Sequence, residues 1–224
     1  AGISTNAYLA GVYANVNPGI DFYGIYNRVS GGTDQYTLGA RWVSNIGAMP
    51  LRLEGSFQTG ERGGTDVSAF MFGGRLGLPF GKATFTLWYD YLSGDDNPTD
   101  GKTKVFDTLF ATNHKFYGFA DLFLNIPAHT GSLGLQDAAI KFAVPLNNGI
   151  KLGIDGHAFF LSKQGTASGK HLGEEIDITL SYKYSTEVTF VGGASYVIAK
   201  QAFADIGRLN ADMKFAYFMT NVAF

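Results

Sequence analysis

The sequence predicts an all-β fold, an antiparallel transmembrane β-barrel, and three observations carry that prediction. Apolar and polar residues alternate with period two in segment after segment. Most of the alternating segments run ten to thirteen residues, whereas soluble strands average roughly five or six and membrane-crossing strands need about 9–11. The connections between them alternate short and long, as in a barrel with tight turns on one side of a membrane and long loops on the other.

Composition narrows the field in the same direction. The 224 residues are 46% hydrophobic and 15% aromatic but only 16% charged, well short of the roughly 25% usual in soluble domains. A net charge of −2 argues against a nucleic-acid partner. The 30 glycines show no three-residue period, which excludes collagen, and 19 Phe with 12 Tyr exclude disorder. With no cysteine there is no disulfide, thiolate metal site or thiol nucleophile. No run of about 18 apolar residues marks a transmembrane helix, and no basic, apolar signal segment opens the chain.

The expected strands follow in order. Segments 5–15 and 20–30 come first, then 35–45, where Tyr36, Leu38, Ala40 and Trp42 oppose Gln35, Thr37, Gly39 and Arg41. In 50–58, Leu51, Leu53 and Phe57 oppose Arg52, Glu54, Ser56 and Gln58. After 66–78, segment 83–92 sets Phe85, Leu87, Tyr89 and Tyr91 against Thr84, Thr86 and Asp90, with Trp88 an exception. Segments 135–145 and 150–162 precede the cleanest alternation, 174–184, in which Ile176, Ile178, Leu180, Tyr182 and Tyr184 oppose Glu175, Asp177, Thr179, Ser181 and Lys183. Segments 187–199 and 213–224 complete a set of about eleven. Short connections are expected at 16–19, 45–49, 78–82, 146–149 and 185–187, and longer ones at 30–34, 59–66, 93–134, 162–173 and 200–212. Such a chain reads as one domain, 1–224, with one long outer loop at 93–134.

A soluble β-sandwich is the alternative, but its strands are shorter and its turns less lopsided. In a barrel the apolar faces meet lipid, and Tyr89, Tyr91, Tyr182 and Tyr184 sit near strand ends as interfacial girdles. The terminal Phe224 resembles the C-terminal signal of bacterial outer-membrane barrels, so the expected location is the outer membrane of a Gram-negative bacterium, in contact with lipid bilayer and lipopolysaccharide.

The polar faces then line a water-filled lumen. Counted up from the short turns, Arg41, Arg75 and Lys141 fall in one band with Asp155 and His157; Arg52, Glu54, Lys151 and Lys183 are also on the polar faces, as are Asp90 and Asp177 higher up. A basic band interrupted by carboxylates draws anionic or polar solutes, and several weak sites let them leave. The bland alternative is that these charges merely pair across neighbouring strands, which depends on register. His114, His129, His157 and His171 are widely spaced, so no metal site is expected. No Gly-x-Ser-x-Gly stands in the chain, so passive passage is expected over a hydrolase, and no cofactor is implied. A scaffold barrel that binds a partner is the remaining class; the apolar residues Phe116, Phe119, Leu122, Phe123, Leu124 and Ile126 allow loop 93–134 to fold inward as a plug or outward as a binding surface.

Within that loop stands FDTLFATNHKFYGFADLF, residues 106–123. Phe106, Leu109, Phe110, Thr112, Asn113, His114, Tyr117, Gly118 and Asp121 resemble a segment near the middle of alginate-export-type outer-membrane porins. The resemblance covers the C-terminal part of that family's usual length. It implies a large barrel of about eighteen strands that passes an anionic polysaccharide such as alginate, with Phe106, Asn113, His114, Tyr117 and Asp121 in the plugging loop. Eleven strands ending at Phe224 on the periplasmic side put Ala1 on the outer side, whereas single-chain barrels close with an even number. The expectation is therefore a C-terminal portion of a longer barrel, completed by further strands or another chain, or else a missed strand within 114–134.

Overall fold

A computed structural model of the chain describes residues 6–223; Ala1 and Phe224, with the expectations attached to them, lie outside the described residues. The chain forms one twelve-stranded sheet among these residues. Its first six strands are β1 (Ala7–Asn17), β2 (Ile20–Val29), β3 (Thr33–Ile46), β4 (Met49–Arg62), β5 (Thr65–Phe80) and β6 (Ala83–Leu92). A two-residue strand, β7 (Lys102–Thr103), and a short helix, α1 (Ile126–His129), interrupt the long connection after β6. The sheet resumes with β8 (Leu135–Pro145), β9 (Ile150–Leu161), β10 (His171–Lys183) and β11 (Val188–Ala199), and after helix α2 (Gln201–Asp205) ends with β12 (Met213–Val222).

Each of the eleven long strands pairs antiparallel with the next, β6 with β8 across the long loop. Strand β7 adds parallel to β5 at Asp66 and Val67. The twelfth strand therefore lies at 102–103, and the 114–134 segment, where a missed strand was expected, carries only α1. That segment lacks period-two alternation, and Gly118, Gly131 and Gly134 turn its backbone through positive φ. The edges β1 and β12 do not pair with one another, so the sheet is open among the described residues.

Strict register gives the sheet two chemically distinct faces. Leu38, Phe57, Phe70, Phe72, Leu87, Ile140, Ile176, Ile178, Leu180 and Phe218 are exposed on one, the arrangement expected where the solvent is hydrocarbon. Aromatic rings cluster toward its ends: Phe70, Phe72, Tyr89 and Tyr91 at one, Tyr182, Tyr184, Phe190 and Phe218 at the other. The opposite face is polar, and the loop packs against it.

The turns differ from expectation in one respect. The connections at 30–34 and 59–66 are tight, with only residues 30–32 and 63–64 outside strands. Thr59, Glu61, Arg62, Thr65 and Asp66 extend the β4–β5 ladder beyond its apolar part, and Gly63 and Gly64 both have positive φ, 63° and 78°, as a two-residue hairpin turn requires. These stretches are strand despite their polarity, because the ladder pairs backbone groups whatever the side chains. Three connections remain long: 93–134, 162–170 and 200–212.

The two-faced sheet predicts unequal costs for one substitution. Ile178→Lys, on the exposed apolar face, should destabilise folding into lipid vesicles by about 2–4 kcal/mol. Thr179→Lys, one residue on, should change it by about 0.5 kcal/mol or less. Denaturant titration of the two vesicle-folded variants reads the difference; equal costs would contradict the facial assignment.

Candidate functional site

On the polar face, register brings charged residues from separate strands into rows. Arg41 lies opposite Asp21 on β2 and Glu54 on β4, and its Nη2 donates to Asp21 Oδ2 and to the Tyr13 hydroxyl, both over 2.6 Å. Arg52 pairs with Glu54 at 2.5 Å, and Glu54 also accepts the Tyr23 hydroxyl over 3.0 Å. Arg52 lies directly opposite Arg75 on β5. Arg75 stacks on Trp88, with its guanidinium carbon 3.5 Å from the ring centroid, and reaches Asp90 at 3.4 Å. This contact accounts for the apparent exception in β6. Trp88 belongs to the polar face, where its Nε1 donates to Asp90 over 3.0 Å and its ring carries a cation.

Farther round the sheet a second group is more buried. Lys141 Nζ donates to Asp155 over 3.0 Å and approaches His157 Nε2 at 3.2 Å, while His157 Nδ1 meets Asp137 at 2.9 Å. An ammonium group can only donate, so Nε2 is placed to accept from Lys141 and Nδ1–H to donate to Asp137. Asp177, opposite Asp155, accepts from Ser195 over 2.5 Å. Lys151 and Lys183 stand near the short-turn end of β9 and β10 with no carboxylate partner among the described residues.

Thus each of Arg41, Arg52, Arg75 and Lys141 has its own carboxylate, Asp21, Glu54, Asp90 and Asp155 respectively. Asp21, Asp137, Gln58, Glu175 and Trp88 join the site here although the sequence pattern does not single them out. Strand parity could have found Asp137, which shares its face with Lys141 two pairs along. What parity could not supply was the cross-strand register that makes Asp21 the partner of Arg41.

Loop 93–134 folds onto this face. Its entry arm is fixed to β4 by reciprocal bonds: Gln58 Nε2 donates to the Asp107 carbonyl over 2.7 Å, and the Asp107 N–H to Gln58 Oε1 over 2.9 Å. Arg62 adds an ion pair to Asp107 at 3.1 Å and a bond to the Val105 carbonyl. Phe106, Tyr117, Leu122, Phe123 and Ile126 are buried against wall residues that include Leu92, Leu135, Phe159 and Val197. Asn113, in the left-handed region at φ 60°, closes the loop on itself by donating to Thr108 Oγ1 and the Phe123 carbonyl. His114 meets Asp121 at 2.6 Å and lies edge-on to Phe119 and Tyr217. Burial holds the Tyr117 phenol well above its usual range, and the nearby carboxylates of Asp90 and Asp137 add to the shift. At the far end, Arg208 of the 200–212 connection donates to the Leu122 carbonyl over 3.0 Å.

The loop therefore spans from β4 to β10 and divides the polar face. Arg41 and Arg52 remain open beside it, their side chains 33% and 34% exposed, while His157 and Asp177 are almost fully covered.

Comparison with known proteins agrees with this architecture. The family described as alginate export matches residues 6–205. Among solved structures, the chain is similar to Pseudomonas aeruginosa OccK11 (OpdR), with a TM-score of 0.62 at 16% identity over 96% of this chain and 57% of that one. The outer membrane protein OprD from Pseudomonas aeruginosa gives 0.57 at 14% identity, over 96% and 59%. A NanC porin gives 0.50 at 10% identity, over 98% of each chain. The chain thus spans less than two thirds of the first two. These likenesses concern the fold. No curated protein matches the sequence.

The β4 anchor generates a prediction. Gln58→Ala removes both reciprocal bonds and should loosen the entry arm by about 1–3 kcal/mol. Amide exchange at residues 105–109 should accelerate accordingly while β2–β4 keeps its protection. Unchanged exchange at 105–109 would show that the anchor does not hold the loop.

Proposed function

Given that the chain belongs to the alginate-export family, we propose that it forms the wall of a channel for passive passage of anionic or polar solutes, with loop 93–134 as the constriction. The membrane is the outer membrane of a Gram-negative bacterium, and the exposed apolar face meets its lipid. The solute class extends to an acidic polysaccharide such as alginate, and the residues bind and guide it without chemistry.

The observation that carries this reading is the run of Arg41, Arg52 and Arg75 on three successive strands, with Arg52 opposite Arg75, beside the uncovered edge of the loop. Guanidinium groups above a low-dielectric wall attract anions over a long range and bind carboxylates in a planar fork. Asp21, Glu54 and Asp90 hold these arginines extended by charge-assisted bonds. Their competition keeps each site weak enough for an anion to move on. Lys141, Lys151, Asp155, His157, Asp177 and Lys183 line the remaining wall in this reading, and Phe106, Asn113, His114, Tyr117 and Asp121 build the constriction.

Unpaired N–H and C=O groups at the free edges of β1 and β12 cannot stay unsatisfied in hydrocarbon. Further strands, or another chain, therefore complete the barrel in this proposal.

Planar-bilayer recording of the chain together with the strands or the chain that complete its barrel tests the reading. Wild type should conduct with anions favoured, and replacing Arg41, Arg52 and Arg75 together by Gln should lower the anion-to-cation permeability ratio several-fold while conductance persists. Failure of the wild type to conduct would overturn the channel reading in favour of a partner-binding scaffold.

A further inference from the structure

The turn Tyr117–Asp121 presents two successive backbone N–H groups to the wall. Ala120 N–H donates to Glu175 Oε1 over 2.8 Å, and Phe119 N–H to Asp177 Oδ2 over 3.5 Å. Gly118 has φ +85°, and a Cβ there would run into the Glu175 carboxyl group, so glycine is what lets the turn close on it. Successive N–H groups on the concave side of such a turn form an anion-receiving shape.

Its occupants, Glu175 on Ala120 N–H and Asp177 on Phe119 N–H, are supplied by the protein itself, and the first is poorly held. Glu175 is fully buried, and its Oε2 has no hydrogen-bond partner. No Lys or Arg pairs with it among the described residues; the neighbouring Glu174 takes Lys200. Asp177 shares its face two residues along β10, His157 lies opposite on β9, and that imidazole is already engaged by Asp137 and Lys141. A desolvated carboxyl group beside other acids, with one oxygen idle, is a weak competitor for the turn. The rim of the turn is open: His114 and Asp121 are 27% and 32% exposed in their side chains.

We infer that the 118–120 turn is a carboxylate-binding turn, held shut by Glu175 as an internal stand-in, and that a soluble carboxylate taking the place of Glu175 releases the loop from β10. The contact itself is structural; the identity of the ligand as a carboxylate-bearing solute rests on the channel reading above.

The experiment uses the completed barrel in lipid vesicles, with sodium glucuronate as the probe and glucose as its neutral counterpart at matched ionic strength. Hydrogen exchange of residues 117–122 and bilayer conductance are read in parallel. Glucuronate should accelerate exchange in this segment and raise conductance, and glucose should do neither. Glu175→Ala should accelerate the same amides about tenfold without ligand, as loss of the bond from Ala120 N–H implies. Glu175→Gln keeps an acceptor for Ala120 N–H but no longer offers a carboxyl group, so it should shift the glucuronate response to lower concentration; it also serves if the Ala variant does not fold. Equal effects of glucuronate and glucose on exchange, or a Gln variant with an unshifted response, would overturn the inference. Exchange that responds while no current passes would support the latch and refute the channel.

Discussion

Hydrocarbon offers no hydrogen-bond partner to a peptide group, and that constraint organises everything else in this chain. It forces each long strand into a continuous antiparallel ladder, and the ladder in turn assigns every side chain to one of two solvents. One residue of slip would exchange the two faces completely. The pairing of Arg41 with Asp21, the stacking of Arg75 on Trp88 and the exposure of Ile176, Ile178 and Leu180 are all consequences of one register.

The second consequence is an unusual distribution of apolar packing. In a soluble sandwich the core joins apolar faces of sheets. Here those faces are outside, and the buried cluster forms on the other side, where Phe106, Leu122, Phe123 and Ile126 of the loop meet Leu92, Leu135, Phe159 and Val197 near the loop end of the strands. The polar face is thus zoned along the strands. Toward the long connections it is apolar enough to seat the loop, and toward the short turns it carries the accessible arginines. A loop seated by side-chain packing at one end and by Glu175, Gln58 and Arg62 elsewhere joins a firm base to separable polar contacts. That combination suits the constriction proposed for this loop.

The wall was legible in the sequence because period-two alternation reports the two solvents directly, and all eleven long strands fall where that alternation places them. Strand ends were less legible. Residues 59–66 are polar yet mostly strand, and polarity alone does not distinguish a polar strand from a loop. Of the site, the charged residues of the polar face were visible by parity, Arg41 and Arg75 among them. Their partners were not, since Asp21 reaches Arg41 through register that no local pattern encodes. Trp88 looked anomalous because an indole is counted as apolar, whereas its ring serves as a platform for a guanidinium. The loop was hardest to read. Its course depends on backbone bonds to Gln58, Glu175 and Arg208, from strands and a connection far away in the chain.

The assignment of the two faces to lipid and to a water-filled path is the claim on which the functional account stands, and a chain without cysteine suits a direct test. Single cysteines placed along β10 from Ile176 to Lys183, in the protein reconstituted in vesicles, can be probed with a charged, water-borne thiol reagent and with a lipid-phase quencher. Positions 179, 181 and 183 should react from water, and positions 176, 178 and 180 should respond only to the quencher. Uniform reactivity along the strand, or the opposite alternation, would contradict the account.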